Sequence, residues 1–351
     1  MSMKLDYGPL TSLLADSSIT EIMVNSPEHI FVEHKGVLVE TGVRFIDERA
    51  LWDFVFAILH FENKDKSAAT SFDGVLPDGS RYNIVVPPMT PKYPSITIRK
   101  FQSKRLTLQD LVNNKSLNEK AAYFLSQAVK AKMNILVSGG TGSGKTSFLQ
   151  ALTFEIPAEE RIVTIEDVAE LKIQHRNWVQ LLSVANGPTP VTARQCLVNS
   201  LRMRPDRILV GECRKDETWD MLQAMNTGHE GSMTTLHANS PQECLTRVEN
   251  LLYMANFDLP IKALRAQIAG SVNFVVQVKR LPNGQRMVTD IMEISGMEGD
   301  VITRAPVFTL DNKGELAPVG YVPRCMKLFN ARGFQFPEGF FDPSRAFRRA
   351  A

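Results

Sequence analysis

The sequence predicts an α/β protein in which a smaller α+β domain precedes a larger domain built on a mainly parallel sheet. Two observations predict it. From Asn134 to Ala238, short apolar runs alternate with helix-like ones, as in a parallel sheet covered by helices on both faces. Before Lys100 the pattern is short alternating runs broken by turn signals, with one helix-like run among them.

In chain order, TEIMVN and HIFVEHKGVLVE read as strands, the second broken at HKG, and RALWDFVFAILHF reads as a helix. DGVLPDGSRYNIVVPP reads as a hairpin around PDGS, and SITIRKF adds a strand ending at Arg99 and Lys100. The polar QSKRLTLQDLVNNKS reads as a linker into the helical LNEKAAYFLSQAVKAK. Then come NILVSG, a helix from about Thr146, RIVTIED, a helix near Ala193–Met203, RILVGE, a helix near Asp216–Met225 and GSMTTLHA. ECLTRVENLLYM fits an amphipathic helix, and VNFVVQVKRLPNGQRMVTDIMEIS a hairpin turning at Pro282, Asn283 and Gly284. The tail mixes Phe329, Phe334, Phe336, Phe340 and Phe341 with Arg324, Arg332, Arg345, Arg348 and Arg349. It reads as a packed appendage with a solvated basic end, with a docking surface as the second reading. The expected division is therefore an N-terminal domain over 1–100, a linker over 101–117, the larger domain over 118–320 and the appendage over 321–351.

Composition narrows the function classes. A 351-residue chain with 44% apolar and 22% charged residues is long enough for two ordinary cores. A net charge of +2 gives no support to wholesale nucleic-acid binding. Cys196, Cys213, Cys244 and Cys325 form no C-x-x-C pair, which argues against a zinc knuckle or a disulfide framework and suits a reducing cytosol. MSMKLDYGPL is no signal peptide and no run is long enough to span a membrane, so the expected location is cytoplasmic, peripheral to a membrane at most.

GGTGSGKT, Gly139–Thr146, fits G-x-x-x-x-G-K-S/T after an apolar strand and at the start of a helix. Glycines let successive N–H groups turn toward phosphates, and the helix N-terminus adds its dipole. Gly140, Thr141, Gly142, Ser143, Gly144, Lys145, Thr146 and Ser147 are therefore the expected nucleotide-binding residues. Lys145 is expected on the β- and γ-phosphates of ATP and the Thr146 hydroxyl on Mg²⁺.

Hydrolysis wants a carboxylate at a neighbouring strand end, and RILVGECR supplies Glu212, expected to polarise the attacking water. Where many such sites carry an aspartate for the magnesium shell, Gly211 stands, so the site is one acid short. Glu166 and Asp167, closing another apolar strand in VTIEDVAE, are expected near the metal and its waters.

TGHEGSMTTLHAN, Thr227–Asn239, contains two histidines. As an extended strand it separates His229 from His237 by roughly 25 Å, too far to share a metal. A strand that follows the acid-bearing one commonly lies beside the phosphate-loop strand, which brings His237 to the γ-phosphate. A neutral imidazole there can donate to a phosphate oxygen or the attacking water. His229 is grouped with the nucleotide-binding residues, its role open between that and coupling the strand to its surroundings.

In order and spacing, GGTGSGKT, TIEDVAEL, SLRMRPDRILVGECR and TGHEGSMTTLHANS resemble the Walker A, Asp box, Walker B and His box of the type II/IV secretion ATPase superfamily, the secretion-traffic or GspE-like ATPases. ITEIMVNSPEHIFVEHKG, LPDGSRYNIVVPP, SITIRKF and QAMNTGHEGSMTTLHANSPQECLTRVENL look most like the CpaF-like branch that drives tight-adherence (Tad) pili. No tetracysteine element of the kind common in pilus-assembly and type II members is present, and neither is the short helical signature of retraction motors. The length, short for a CpaF-like protein, leaves the type IV secretion traffic ATPases as the alternative branch. The resemblance implies a RecA-like phosphate-loop domain, a homo-hexamer, nucleotide held between the two domains, and a polytopic inner-membrane platform protein as partner. It also implies arginines reaching the phosphates, for which Arg99 and Arg81 match, with Arg202, Arg204 and Arg207 flanking the acid-bearing strand.

The expected function is therefore a hexameric ATPase motor powering pilus assembly or protein secretion at the inner membrane. A RecA-like nucleic-acid translocase is the alternative, disfavoured by near-neutral charge and the lack of a basic, aromatic-interleaved stripe. A small-molecule kinase would need an acceptor pocket for which no motif is present.

Overall fold

The computed structural model describes residues 5–34, 36–65, 67, 69–101, 106–184, 189–255, 259–345 and 347. The chain forms two compact units, Met1–Lys104 with Pro282–Gly284, and Arg105–Leu281 with Gln285–Ala351.

In the first unit a 3₁₀ turn over Gly8–Leu10 leads into α1 (Thr11–Ala15), β1 (Ile19–Val24), β2 (Ile30–His34) and β3 (Val37–Glu40). There follow α2 (Glu48–Phe61), β4 (Ser71–Val75), β5 (Arg81–Val85) and β6 (Ser95–Arg99). All six strands join one antiparallel sheet in the order β3-β2-β1-β6-β5-β4. Helix α2 starts where the Asp47 side chain accepts the Ala50 N–H. It buries Leu51, Phe54, Val55, Ile58 and Leu59, a single stripe at helical spacing.

The second unit opens with α3 (Leu108–Asn113) and α4 (Glu119–Lys130), followed by β7 (Ile135–Gly139), α5 (Lys145–Thr153), β8 (Ile162–Glu166) and β9 (Trp178–Leu182). Next come α6 (Ala193–Ser200), β10 (Arg207–Val210), α7 (Glu217–Asn226), β11 (Met233–His237), α8 (Pro241–Met254) and α9 (Ile261–Ser271). The last elements are β12 (Phe274–Arg280), β13 (Arg286–Glu298), β14 (Val301–Leu310), β15 (Leu316–Pro318) and α10 (Met326–Ala331). The nine strands form one mixed sheet, β15-β14-β13-β12-β7-β11-β10-β8-β9. From β12 to β9 all neighbours are parallel, and β13 to β15 continue the sheet as an antiparallel meander.

Strands β7, β8 and β10 are buried at every position because helices cover both faces. Alternate side chains feed separate cores: Ile135 and Val137 pack with α4 and α5, whereas Leu136 packs with α6 to α9.

Two segments depart from the expected division. The polar stretch read as a linker contains α3, started by a capping box between Thr107 and Asp110, and its Leu108, Leu111 and Leu117 are buried in the main core. Residues 102–105, Arg348 and Arg349 lie outside the described residues. The tail is no separate appendage: Phe329, Phe340 and Phe341 are buried in the same core as Phe124, and Arg332 donates to the Ala131 and Lys132 carbonyls. No helix among the described residues is long and apolar enough to cross a membrane.

Candidate active site

The site begins where β7 ends. Gly142 and Gly144 take the left-handed region, at φ +69° and +93°, which a side chain would resist. A Cβ on Gly139 would stand 2.4 Å from the Ser143 hydroxyl and 2.5 Å from the Val278 carbonyl, so the loop can leave the strand only through a glycine. Ser143 Oγ and Lys145 Nζ both donate to the Gly140 carbonyl, at 2.8 and 3.0 Å, and the loop closes on itself. Lys145 opens α5, with Thr146 and Ser147 behind it in the first turn, where helical N–H groups have no intrahelical partner. Thr141 and Ser147 are exposed, whereas Ser143 and Lys145 are buried.

Two neighbouring strands deliver the chemistry. β11 lies beside β7 with His237 opposite Gly139, and β10 lies on the far side of β11, so the residues after all three strands share one sheet edge. The Thr235 hydroxyl donates to the Gly211 carbonyl at 2.7 Å and ties the two strand ends together. His237 Nε2 is 3.0 Å from Glu212 Oε1, and Lys145 Nζ is 3.4 Å from the same imidazole nitrogen. Glu212 Oε2 accepts from Arg214 Nη2 at 2.6 Å, Arg214 Nη1 lies 3.2 Å from Asp167 Oδ2, and Asp167 Oδ1 accepts from Ser183 Oγ at 2.7 Å.

Burial and the Lys145 ammonium hold the His237 imidazole below its ordinary range, and the opposing pull of Glu212 does not offset them. The neutral ring is consistent with an Nε2–H donating to Glu212, a tautomer inferred from its partners. The Glu212 carboxylate raises the Arg214 guanidinium above its usual value.

Three expectations need correction. Glu166 is 5% exposed; its Oε1 accepts the backbone N–H groups of Glu170 and Leu171, and its Oε2 accepts Gln180 Nε2 at 2.7 Å. It anchors the turn after β8 instead of facing a metal, and burial pushes its carboxyl up. An aspartate in place of Gly211 would crowd it, since a Cβ there would be 3.1 Å from Glu166 Cγ. Asp167, expected at the metal, is half-exposed and already has a partner at each oxygen, Ser183 and Arg214. His229 is not with the nucleotide-binding residues. Its carbonyl accepts from Ser232, whose own carbonyl accepts Ile135 N–H at the start of β7, about 13 Å of strand away from the phosphate loop. His229 Nδ1 is buried without a hydrogen-bond partner.

The two expected arginines come together in the first unit, where Arg81 on β5 pairs directly with Arg99 on β6. Arg207, one of the flanking candidates, is fully buried against Glu160, with Nε 2.5 Å from Oε2, so it is structural.

Sequence reasoning missed Arg214, Arg280 and Arg286. Arg280 and Arg286 are paired residues of the β12–β13 hairpin; Arg286 Nε donates to the Gly142 carbonyl at 2.8 Å, and a Cβ on Gly142 would stand 3.5 Å from Arg280 Nη1. The signal available was an arginine at each end of an LPNGQ turn, which has meaning only once β12 is known to lie beside β7.

Among the described residues no three His, Cys, Asp or Glu side chains cluster closely enough to hold a metal by themselves. Mg²⁺ at a nucleotide site keeps several waters and binds substrate phosphates, and so needs few protein oxygens. Thr146, a hard oxygen donor on the first turn of α5, is the residue that would hold it.

A glycine loop closed on its own carbonyl thus lies beside a carboxylate and an imidazole on adjacent strand ends. Residues 3–298 match the family described as Type II/IV secretion system protein. The chain belongs to that family. Similar members include a putative conjugal transfer protein of Mycobacterium tuberculosis, 34% identical over 304 residues, with 84% of this chain and 86% of the relative covered. The type IV secretion system protein VirB11 of Bartonella quintana is 31% identical over 324 residues, covering 81% and 90%. In fold the chain is similar to the Legionella pneumophila ATPase DotB, with a TM-score of 0.60 at 20% identity over 80% of this chain and 78% of that one.

Proposed function

We propose that this chain is the subunit of a homo-hexameric, Mg²⁺-dependent ATPase motor that works at the cytoplasmic face of the inner membrane and powers pilus assembly or protein secretion. The observation that carries the reading is the convergence of Lys145, Glu212 and His237 at the ends of three neighbouring elements, within hydrogen-bond distance of the shared imidazole. The N–H groups of Gly140–Thr146 and the Lys145 ammonium bind the β- and γ-phosphates. Thr146 would hold Mg²⁺, which would supply charge neutralisation at the γ-phosphate. Glu212 accepts a hydrogen bond from the attacking water and orients it. His237, neutral at physiological pH, has one N–H to give; it shifts that donor from Glu212 to the γ-phosphate or that water when ATP is bound, and so distinguishes triphosphate from diphosphate. Arg81 and Arg99 are the arginines we propose reach the phosphates.

Among the relatives named above, conjugal-transfer and type IV secretion proteins support a traffic ATPase, while the N-terminal motifs support the Tad-pilus branch. Both branches imply a polytopic inner-membrane platform protein as partner.

The test is phosphate release from ATP by the purified chain with and without Mg²⁺, alongside native mass measurement with nucleotide. Mg²⁺-dependent turnover by a species six times the subunit mass is expected. Turnover that needs DNA and fails with rising salt would instead favour a nucleic-acid translocase.

A further inference from the structure

Arg214 is unused by the mechanism above, yet its guanidinium joins two carboxylates at the catalytic edge. Glu212 is 17% exposed at its side chain, and both its oxygens are committed: Oε1 to His237 at 3.0 Å and Oε2 to Arg214 Nη2 at 2.6 Å. The other terminal nitrogen of the same guanidinium, Nη1, lies 3.2 Å from Asp167 Oδ2. A planar guanidinium can span two carboxylates with two parallel N–H groups, which a single ammonium cannot do.

The clamp is fixed at both ends. On one side Glu217, a buried carboxylate in the first turn of α7, accepts the backbone N–H groups of Arg214 and Lys215, which holds the start of the arginine side chain. On the other, Asp167 Oδ1 accepts from Ser183 Oγ at 2.7 Å, while Ser183 N–H donates to the Glu166 carbonyl at 2.9 Å. The line from Glu212 through Arg214 and Asp167 therefore ends on backbone at the β8–β9 edge of the sheet.

We propose that Arg214 is the positioning residue for the catalytic carboxylate, clamping Glu212 to Asp167, so that Asp167 serves the reaction through Arg214 and not through the metal. This rests on the reading of Glu212 as the group that orients water. Without the clamp Glu212 keeps one partner, His237, and is free to rotate about its last bond. An exposed ion pair contributes little to stability, but a misplaced catalytic group is costly: a shift near 1 Å can lower a rate about a hundredfold.

The experiment compares steady-state ATP hydrolysis by wild type, Arg214→Gln, Arg214→Lys, Asp167→Asn and the Asp167→Asn/Arg214→Gln double variant, each with its thermal unfolding curve. Arg214→Gln and Asp167→Asn should each lower kcat about 10- to 100-fold, with KM for ATP and the half-saturating Mg²⁺ concentration within about twofold of wild type. The double variant should be no slower than the slower single one, because both remove the same clamp. Arg214→Lys, with charge but no fork, should recover little. The proposal is overturned by wild-type kcat in Arg214→Gln, by losses that multiply in the double variant, by full rescue with lysine, or by an Asp167→Asn protein whose Mg²⁺ requirement rises. If Arg214→Gln does not fold, Arg214→Lys and Asp167→Asn decide by the same criteria. Glu212→Gln separates this from the underlying reading: wild-type turnover there would remove the reading itself, whatever the Arg214 variants do.

Discussion

Lys145 and His237 face each other across the gap between the phosphate loop and the end of β11, with the ammonium nitrogen 3.4 Å from Nε2 and 3.5 Å from Nδ1 of the imidazole. A second cation cannot easily form so close to the first, so the ring stays neutral and its hydrogen-bonding pattern is set by Glu212 on the other side. In the function proposed above, binding and sensing fall to two side chains that touch.

His237→Ala should lower ATP turnover about 10²- to 10³-fold, the cost of removing one aimed donor from a developing charge. Affinity for a fluorescent ATP analogue should stay within about threefold of wild type. Parallel loss of turnover and affinity would show that the imidazole binds nucleotide and does not sense it.

The pH dependence follows from the direction in which His237 is shifted. Burial and Lys145 lower it from 6.5, with Arg214 and Arg247 acting the same way and Glu212 opposing. The neutral form therefore persists through pH 6.5 and turnover should fall only at more acid pH. In the same window the unfolded chain takes up the proton first, so this histidine makes the fold less stable as pH drops below about 6.5. A pH–rate profile and thermal unfolding between pH 5 and 8 check both, with His237→Ala lacking the stability component.

Arg286→Ala releases the Gly142 carbonyl from its 2.8 Å charged donor. A hydrogen bond to a charged group contributes about 1.5–3 kcal/mol, so nucleotide affinity should weaken about tenfold or more. Titration with labelled ADP measures it, and unchanged affinity would make the contact incidental.

At the opposite edge of the sheet, the fully buried Arg207 is held by both Glu160 oxygens and sits where a Cβ on Gly231 would collide with it. Glu160→Ala leaves that guanidinium buried without its carboxylate and should destabilise the domain by about 3–5 kcal/mol. Urea unfolding should show the loss as a lower midpoint, with nucleotide affinity in the folded protein preserved.

Local signals carried much of this architecture. GGTGSGKT declares its own conformation because Gly139 has no room for a Cβ and Gly142 and Gly144 hold positive φ, and the strand–helix alternation gives the parallel sheet from β7 to β11. His237 was legible for a topological reason, the habit of such sheets to put the strand after the acid-bearing one beside the phosphate loop. What was hidden depends on contacts between distant segments. Asn134, the first residue of a run read only as apolar strand, accepts from Gly231 and Ser232 and donates to Met225 and Ser271. Glu166 looks like a metal acid until its three donors are seen, and Arg286 looks like a surface charge until β12 pairs with β7. The helix inside the supposed linker was a different failure: Thr107-Leu-Gln-Asp110 spells a capping box, and the polarity of its neighbours outweighed it.

The most direct test of the central claim is phosphate release by Glu212→Gln, measured beside wild type at saturating ATP and Mg²⁺, with nucleotide binding measured on the same samples. The variant keeps the side-chain volume and can still accept from Arg214, but it loses the charge that orients water. Retained nucleotide binding with turnover lower by at least about a hundredfold is the expected result. Turnover equal to wild type would contradict the account, because among the described residues Glu212 is the carboxylate paired with His237.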